Sequence, residues 1–307
     1  MSALSVPGEE ELPRPDVPFF EFIDLRIRSL GDSTARCDMA AGSWAVELAE
    51  LGVPVAVVAL ADCALAYATT RVGPEGTGTV SVSLHLDHRH LPPRQEGRLS
   101  SSTHAWVLDH GFAYGLGPVL DEHGEVLADT SLRALGVAAD QMAFTPRDGG
   151  GPTGGEAAPP PAGPTTATRG TGPVGTLPAD GLDPLLGSEL GRLCSLELVD
   201  AGEGGVELVA VPPEEFLRTA GVVHGGAMGV LAHLALAGTA LAALPSAEPP
   251  RRLDLHLDYL RPAGVGRPLR LRSQIAHRSR RLAILTAELV RDDGRVALAA
   301  RETCLLG

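Results

Sequence analysis

The longest apolar run of the chain covers residues 221–244, GVVHGGAMGVLAHLALAGTALAAL. It predicts a helix with apolar side chains on every side, and a helix without a polar face is buried in a protein or in a membrane. The run is long enough to span a bilayer. However, His224 and His233 lie inside it and no Lys/Arg cluster flanks it, which favours a protein interior. Its many small residues predict close packing on all sides, as inside a strongly curved sheet.

A second apolar helix of small residues is predicted from Ala45 to Thr70. The segment Thr79–His88, TVSVSLHLDH, alternates strictly between apolar and polar residues and predicts a strand. Partial alternation predicts further strands in residues 19–39, 99–114 and 119–134, with a hairpin turn at Asp121–Gly124.

The two halves of the chain repeat one another. LHLD at residues 84–87 recurs at 255–258, and a shift of 171 positions also takes Asp62 to His233. The hairpin glycine Gly124 recurs as Gly294, a shift of 170. Landmarks at nearly one spacing indicate a tandem duplication. Each unit has a long helix followed by a run of strands, which predicts an α+β fold in which a curved sheet wraps the helix.

The repeat and the composition together predict four segments. Residues 1–17 are rich in Pro and Glu and predict a flexible N-terminal arm, and residues 18–145 form the first repeat. Residues 146–178 are dominated by Gly, Pro, Ala and Thr without periodicity, which is typical of a flexible linker. Residues 179–307 form the second repeat.

Composition limits which partners the protein is expected to bind and where in the cell it is expected to be. The 307 residues are enough for two domains, and a formal net charge of −13 argues against nucleic acid as a partner. The four cysteines are far apart and lack metal-ligand spacing, so we interpret them as buried residues in a reducing compartment. The acidic N-terminus lacks the features of a signal peptide, so we expect a cytoplasmic protein that does not enter a membrane.

Three motifs of the second half carry a resemblance to a known family. GVVHGGAMGVLAHLALAG, LDLHLDYLRPAGVGRPL and HRSRRLAILTAELVRDDGR together cover most of residues 185–307. They resemble hotdog-fold acyl-CoA thioesterases of the phenylacetate-associated type, and the first half resembles them more weakly through its repeat. The resemblance implies hotdog units that pair through one continuous sheet. A tandem chain would form this dimer within itself, as a double hotdog, and further assembly of that unit into a larger homo-oligomer is left open.

The resemblance also implies a thioester site between the two units. One unit supplies the N–H of the first glycine after the motif histidine, which polarises the carbonyl. The other supplies a carboxylate nine positions after its own motif position. Here His224 and Gly225 match in the second half, but position 233 is histidine, whereas the first half keeps Asp62 and has Val53 at its motif position.

The complementary losses predict one composite catalytic site and one inactive site. Asp62 would act as base or nucleophile, because burial in an apolar helix raises the pKa of a carboxyl. Gly225 would donate its N–H to the oxyanion with the helix dipole behind it, next to His224 and with Gly226 also contacting the substrate.

Three further features follow from the resemblance. A hydroxyl on the strand after the helix would hold the water or the carboxylate, and Ser81 is the candidate, with Ser83 as the fallback. Three arginines would contact the phosphates of coenzyme A: Arg278, Arg280 and Arg281. An asparagine common before the motif histidine is absent, and residues 217–219 occupy its region. No cofactor is expected apart from coenzyme A as part of the substrate.

Simpler interpretations remain beside these. Asp62 is also compatible with a structural buried acid, and His224 with a helix cap. His85, Asp87 and His88 lie on a strand whose alternate residues face opposite ways, so we do not expect a metal site. The sequence is compatible with an acyl-CoA thioesterase, with a non-catalytic acyl-CoA or acyl-chain binder, with a hotdog hydratase or dehydratase, and with a scaffold that binds no ligand.

Overall fold

The computed structural model describes residues 12–75, 77–89, 97–138, 179–202, 204–219, 221–244 and 249–306. The predicted linker, residues 146–178, and most of the predicted arm lie outside these ranges. The helices are α1 Pro18–Phe22, α2 Ser43–Glu50, α3 Val55–Val72, α4 Asp183–Leu186, α5 Glu189–Leu193 and α6 Gly225–Ala243. The strands are β1 Arg26–Leu30, β2 Thr34–Ala40, β3 Thr77–His88, β4 Arg98–Val107, β5 Phe112–Leu120, β6 Val126–Ala138, β7 Glu197–Gly202, β8 Gly205–Ala210, β9 Leu217–Thr219, β10 Val222–Val223, β11 Arg251–Tyr259, β12 Leu269–Arg278, β13 Leu282–Val290 and β14 Val296–Leu305.

Twelve of these strands form one antiparallel sheet in the order β1-β2-β4-β5-β6-β3-β11-β14-β13-β12-β8-β7. The order of the second half mirrors that of the first, so each strand of one repeat has an equivalent at the same distance from the centre. The two long helices α3 and α6 lie against this sheet, α3 on the strands of the first repeat and α6 on those of the second. This arrangement is a double hotdog, as the sequence predicts.

The central seam joins β3 of the first repeat to β11 of the second. The pairing places His85 directly opposite His256, and these are equivalent positions of the duplication. A pseudo-twofold axis therefore passes between the two imidazoles, whose ring centroids are 5.7 Å apart. Each histidine also lies 3.2 Å from the aspartate two residues later, Asp87 or Asp258, so this pair is a repeated surface feature of the seam.

The core explains why both long helices are apolar all round. Sheet covers each helix on one side and the two helices contact each other on another, so almost every position is enclosed. By length and composition alone both helices could cross a membrane. However, 72% of the apolar window of α3 and 89% of that of α6 are already buried inside the protein.

Three local features differ from the sequence predictions. The predicted strand at residues 19–39 begins with helix α1, because Pro18 occupies its first turn, where the missing N–H costs nothing. The predicted helix from Ala45 to Thr70 is two helices, since Gly52 adopts a φ of +72° and Pro54 follows. Within the predicted arm, the Leu12 N–H donates to the Ile27 carbonyl, so the described part of that segment pairs with β1.

Gly229 sets the distance between the two long helices. A Cβ at this position would stand 2.8 Å from Val58 of α3 and 2.9 Å from Leu257 of β11, both closer than ordinary contact. We expect Gly229→Val to cost about 1–3 kcal/mol of unfolding free energy, because overpacking forces the helices apart. Urea denaturation would measure this loss. Ala242→Val in the half-buried last turn of α6 is the matched control, and an equal loss in both variants would contradict the role of the close approach.

Candidate active site

A cavity of about 730 Å³ lies between the two repeats. The first repeat contributes the segment before α1, one side of α3 and the start of β3, and the second contributes β9, the N-terminus of α6 and the end of β11. Its walls are mostly apolar, with a polar set in the middle. That set comprises Asp62, Ser81, Arg218, His224, Gly225 and Tyr259.

The Asp62 carboxylate lies at the centre of this polar set and is 1% exposed. Its Oδ1 accepts a hydrogen bond from the Ser81 hydroxyl at 2.9 Å and a longer one from the Tyr259 hydroxyl at 3.3 Å. These two hydroxyls hold the orientation of the carboxylate. Oδ2 is left facing the start of α6, where it is the oxygen available for chemistry.

A β-bulge explains why Ser81, and not Ser83, reaches Asp62. The register of β3 against β6 shifts between Ser81 and Ser83, which inserts one extra residue in β3. Beyond the bulge Leu84 points into the core, so Ser83 points outwards with His85. Before the bulge the facing is reversed and Ser81 points inwards. The predicted fallback Ser83 is therefore on the opposite face from Ser81, because bulges re-aim side chains.

The start of α6 faces the Asp62 carboxylate. A Cβ built on Gly225 would stand 2.9 Å from Asp62 Oδ2, so only glycine lets the helix terminus come this close. The backbone N–H of Gly225 has no hydrogen-bond partner among the described residues, and Gly225 lines the cavity. The N–H of Gly226, in contrast, donates to His224 Nδ1 at 3.0 Å. Gly225 therefore offers the free donor at the positive end of the helix.

His224 is the N-cap of α6 and is held between two aromatic rings. Phe19 stacks on the imidazole with ring centroids 4.7 Å apart, and Phe20 meets it edge-on at 5.1 Å. Burial lowers the pKa of His224 to about 3, helped by the positive charge of Arg218. Because Nδ1 accepts from Gly226, it cannot donate to Asp62 Oδ2, which lies 3.6 Å away. His224 is thus a neutral cap that positions the helix terminus.

Opposing effects set the ionisation of Asp62. Burial raises the pKa of its carboxyl above the ordinary value, while the Ser81 hydrogen bond, the Arg218 charge, the Tyr259 hydrogen bond and the backbone N–H of Gly226 act against this. A carboxyl with a raised pKa is a stronger base when ionised, and the opposing donors keep the ionised form accessible.

Sequence reasoning did not single out Tyr259 or Arg218 as site residues. Tyr259 is part of the LDYLRPA motif, at the end of β11, and reaches Asp62 of the other repeat. Arg218 lies on β9, and its Nη2 donates to the Thr79 carbonyl at 2.7 Å. The cavity also contains Tyr67, whose buried hydroxyl has no partner among the described residues.

The three arginines predicted to bind phosphate lie elsewhere. Arg278 ends β12, and its Nη1 donates to the Ala243 carbonyl at the C-terminus of α6. That helix end is roughly 27 Å from Gly225 at 1.5 Å per residue. Arg280 and Arg281 are exposed in the following turn, and none of the three lines the cavity. The cavity-lining arginines are Arg218 and the exposed Arg261, which the sequence motif DYLRPA contains.

The pseudo-twofold axis relates this site to a second set of residues with different chemistry. His233 occupies the position equivalent to Asp62, Arg252 that of Ser81, and His88 that of Tyr259. The bulge is repeated as well, between Arg252 and Asp254, so Arg252 points inwards as Ser81 does. Glu302 stands where the first repeat has Leu132, as the pairing with Leu255 and Leu84 indicates.

These replacements form a buried ionic cluster. Glu302 accepts from His233 Nε2 at 2.9 Å and from Arg252 Nη1, and Arg252 also donates to the Gly52 carbonyl of the first repeat. Burial lowers the pKa of His233, so this imidazole is neutral. The Arg252 guanidinium, with His233 adding to it, outweighs burial and lowers the pKa of Glu302 to about 2. The second position is therefore filled by an Arg–Glu pair and lacks both the carboxylate on the helix and the His-Gly-Gly turn.

Other candidate chemistry is limited within the described residues. No group of three or more His, Cys, Asp or Glu side chains there is arranged to hold a metal ion. Cys37, Cys63, Cys194 and Cys304 are buried and unpaired.

Comparison with known proteins agrees with this fold. A family model described as the thioesterase superfamily matches residues 220–298, which include His224 and Gly225. The acyl-CoA thioesterase II TesB2 of Mycobacterium marinum aligns over 94% of this chain and 97% of its own, with 17% identity and a TM-score of 0.55. The tesB protein of Mycobacterium avium subspecies paratuberculosis aligns over 92% and 96%, with 11% identity and a TM-score of 0.58.

At these identities the two structures show a shared fold. No curated protein sequence matches the chain. The fold is therefore a double hotdog, and its second repeat matches the thioesterase superfamily model over residues 220–298.

The ionic cluster makes a prediction for stability. We expect Glu302→Gln to cost about 3–5 kcal/mol of unfolding free energy, because it leaves the Arg252 charge buried without a counterion. The double variant Glu302→Leu with Arg252→Ser installs the first-repeat residues and should recover most of the loss, since an apolar replacement of a buried pair is often nearly neutral. Urea denaturation at pH 7 measures both, and a single variant as stable as the double one would contradict the pairing.

The shifted pKa values of Glu302 and His233 determine how the folding stability changes with pH. Glu302 has a pKa of about 2 in the folded protein against 4.5 ordinarily, so its contribution is complete above about pH 4.5 and is lost as pH falls towards 2. The pKa of His233 is lowered by burial, so the unfolded chain binds a proton at this residue more readily than the folded protein does. Stability is therefore also lost as pH falls below about 6.5. The double variant should therefore lose less stability than the wild type between pH 5 and pH 3.

Proposed function

We propose that the protein is a thioesterase that hydrolyses acyl-CoA to the free acid and coenzyme A at one composite site. The observation that carries this proposal is the approach of Asp62, from helix α3 of the first repeat, to the unbonded N–H of Gly225, at the start of α6 of the second. A base and an oxyanion donor that line one cavity close to each other are the two groups that acyl transfer to water requires.

The proposed reaction uses these groups in order. The thioester carbonyl oxygen accepts the Gly225 N–H, which stabilises the negative charge that develops there. Asp62 Oδ2 removes a proton from water as the water oxygen bonds to the carbonyl carbon. The C–S bond then breaks, and the proton passes to the departing thiolate. Direct attack by Asp62, giving an anhydride that water hydrolyses, is the variant of this path that the same geometry allows.

The buried cluster of Arg252, Glu302 and His233 supports a single site per chain. Its guanidinium and carboxylate satisfy each other, and no carboxylate is available on α6 to act as base. We therefore propose that the second position has a structural role and that one chain binds one substrate. Coenzyme A enters only as part of that substrate, and the proposal requires no cofactor.

We propose that the protein works in the cytoplasm as an intramolecular pseudo-dimer. The enclosure of both long helices inside the protein supports this proposal.

The first test is hydrolysis of a panel of acyl-CoA thioesters by the wild type and by Asp62→Asn. We expect kcat/KM to fall by at least about a hundredfold in the variant, as for loss of a positioned base. Gly225→Ala should fall similarly, since its Cβ would press on Asp62 Oδ2. Asp109→Asn is the matched control, because the side chain of Asp109 is 90% exposed and lies outside the cavity lining.

The outcomes separate the remaining candidates. Binding of acyl-CoA without turnover, unchanged in Asp62→Asn, would identify a binding module. Hydration of an enoyl-CoA without hydrolysis would identify a hydratase. Neither binding nor turnover with any thioester would leave a scaffold.

A second test concerns the phosphates of the substrate. Arg261 is the exposed arginine at the cavity, so we expect Arg261→Ala to raise KM for acyl-CoA by about tenfold, and much less for the matching acyl-pantetheine, which lacks the nucleotide. Arg278→Ala tests the prediction made from the resemblance. If it raises KM while Arg261→Ala does not, the nucleotide lies at the other end of α6.

A further inference from the structure

Arg218 is held inside the cavity by a contact between the repeats. It lies on β9, six residues before His224, and its Nη2 donates to the carbonyl of Thr79 on β3 at 2.7 Å. Thr79 and Ser81 share the inward face of β3 ahead of the bulge, so the guanidinium is anchored beside the strand that orients Asp62.

The guanidinium has donors to spare. Its Nε and Nη1 have no hydrogen-bond partner among the described residues, and no carboxylate of those residues comes within 4.0 Å of it. The side chain is partly buried, and a guanidinium remains charged in proteins. A cation in such surroundings is costly unless an anion meets it. Asp62 acts on Arg218 only from beyond this distance, so an anion that contacts the guanidinium directly has to occupy the cavity that Arg218 lines.

The charge of Arg218 acts on both neighbouring groups of the site. It opposes the effect of burial on Asp62, and it adds to the effect of burial that keeps His224 neutral. The cavity is therefore lined by the guanidinium of Arg218, the free backbone N–H of Gly225 and the carboxylate of Asp62.

We propose that Arg218 and the Gly225 N–H form an oxyanion-binding pair, which holds the carboxylate of the released acid and, during hydrolysis, the thioester oxygen that becomes negative. The second half of this statement rests on the proposed thioesterase function, and the first half does not. Arg218 would then be a catalytic residue at the place where the family's asparagine is absent.

The physical reason is charge balance. An ionised Asp62 repels any oxyanion formed beside it, and one backbone N–H offsets this only in part. A guanidinium adds a full positive charge and two parallel donors that match the geometry of a carboxylate. An amide at this position would donate a hydrogen bond without supplying the charge.

The binding test uses free acids as probes, which removes any dependence on turnover. Hexanoate and benzoate are titrated calorimetrically at pH 7.5 into the wild type and into Arg218→Gln, Arg218→Lys and Arg133→Gln. We expect affinity to fall by about tenfold or more in Arg218→Gln, as for a lost hydrogen bond to a charged group. Arg218→Lys should be intermediate because it keeps the charge without the fork. Arg133→Gln, exposed on β6 and outside the cavity lining, should bind as the wild type does.

The kinetic test uses the best acyl-CoA of the panel. We expect kcat of Arg218→Gln to fall by about a hundredfold, the usual effect of removing an oxyanion donor. The acidic limb of kcat/KM should move to higher pH, because the pKa of Asp62 rises without the neighbouring cation. Arg218→Lys should keep most of the pH profile. A purely structural Arg218 would lower the thermal midpoint and leave that limb in place.

Two results would overturn the proposal. One is unchanged acid binding and an unchanged acidic limb in a folded Arg218→Gln. The other is a defect confined to substrates whose acyl group itself has a carboxylate, such as succinyl-CoA. That result would show that Arg218 recognises the acyl group. If the wild type hydrolyses no acyl-CoA but Arg218→Gln still loses acid binding, the proposed function fails while the anion site stands.

Discussion

The pairing of β3 with β11 is the constraint on which the rest of the molecule depends. Five consecutive residue pairs join the two halves of the sheet, with His85 facing its own equivalent His256. This register fixes the symmetry axis and so fixes where α3 and α6 meet. It also sends the end of each strand towards the neighbouring repeat, which is how Tyr259 reaches Asp62.

The two equivalent positions have the same backbone geometry, but they accommodate a buried charge in different ways. At one place a carboxylate accepts hydrogen bonds from neutral hydroxyls and lines a cavity. At the other, the carboxylate of Glu302 is paired with the guanidinium of Arg252 and accepts a hydrogen bond from His233. An unpaired buried charge is costly, and a paired one is inert. The fold accommodates either set of side chains, because each set begins on an equivalent bulged strand, β3 or β11.

Much of the fold could be predicted from the sequence because duplication makes patterns visible twice. The repeat of LHLD and the equivalence of Asp62 with His233 indicated a tandem duplication, and the resemblance of the motifs implied two hotdog units with complementary losses. What the sequence could not provide was local backbone geometry. Strict alternation in TVSVSLHLDH gives no sign of a bulge, so Ser81 and Ser83 looked equivalent.

Long-range contacts were also beyond the sequence. In the sequence Arg218 is noticeable only because it departs from a motif. The path of β9 past β3 is what brings its side chain to the cavity. Arg278, Arg280 and Arg281 form a conspicuous basic group, but none of them lines the cavity, and Arg278 contacts the C-terminus of α6, whereas the N-terminus of that helix meets the cavity. Glu302 attracts no attention in a strand of small residues until the fold brings its side chain to Arg252, which pairs with Cys304 two residues further along the same strand.

The unequal loss of residues has a consequence for inheritance. A homodimer of the second repeat would hold two His-Gly-Gly turns and two copies of His233, and a homodimer of the first would hold two copies of Asp62 facing Val53. Neither assembly contains all the groups of the proposed site. A pair made of one copy of each half would contain them, so the proposed site forms only where both halves are present, and a single chain ensures that they are inherited together.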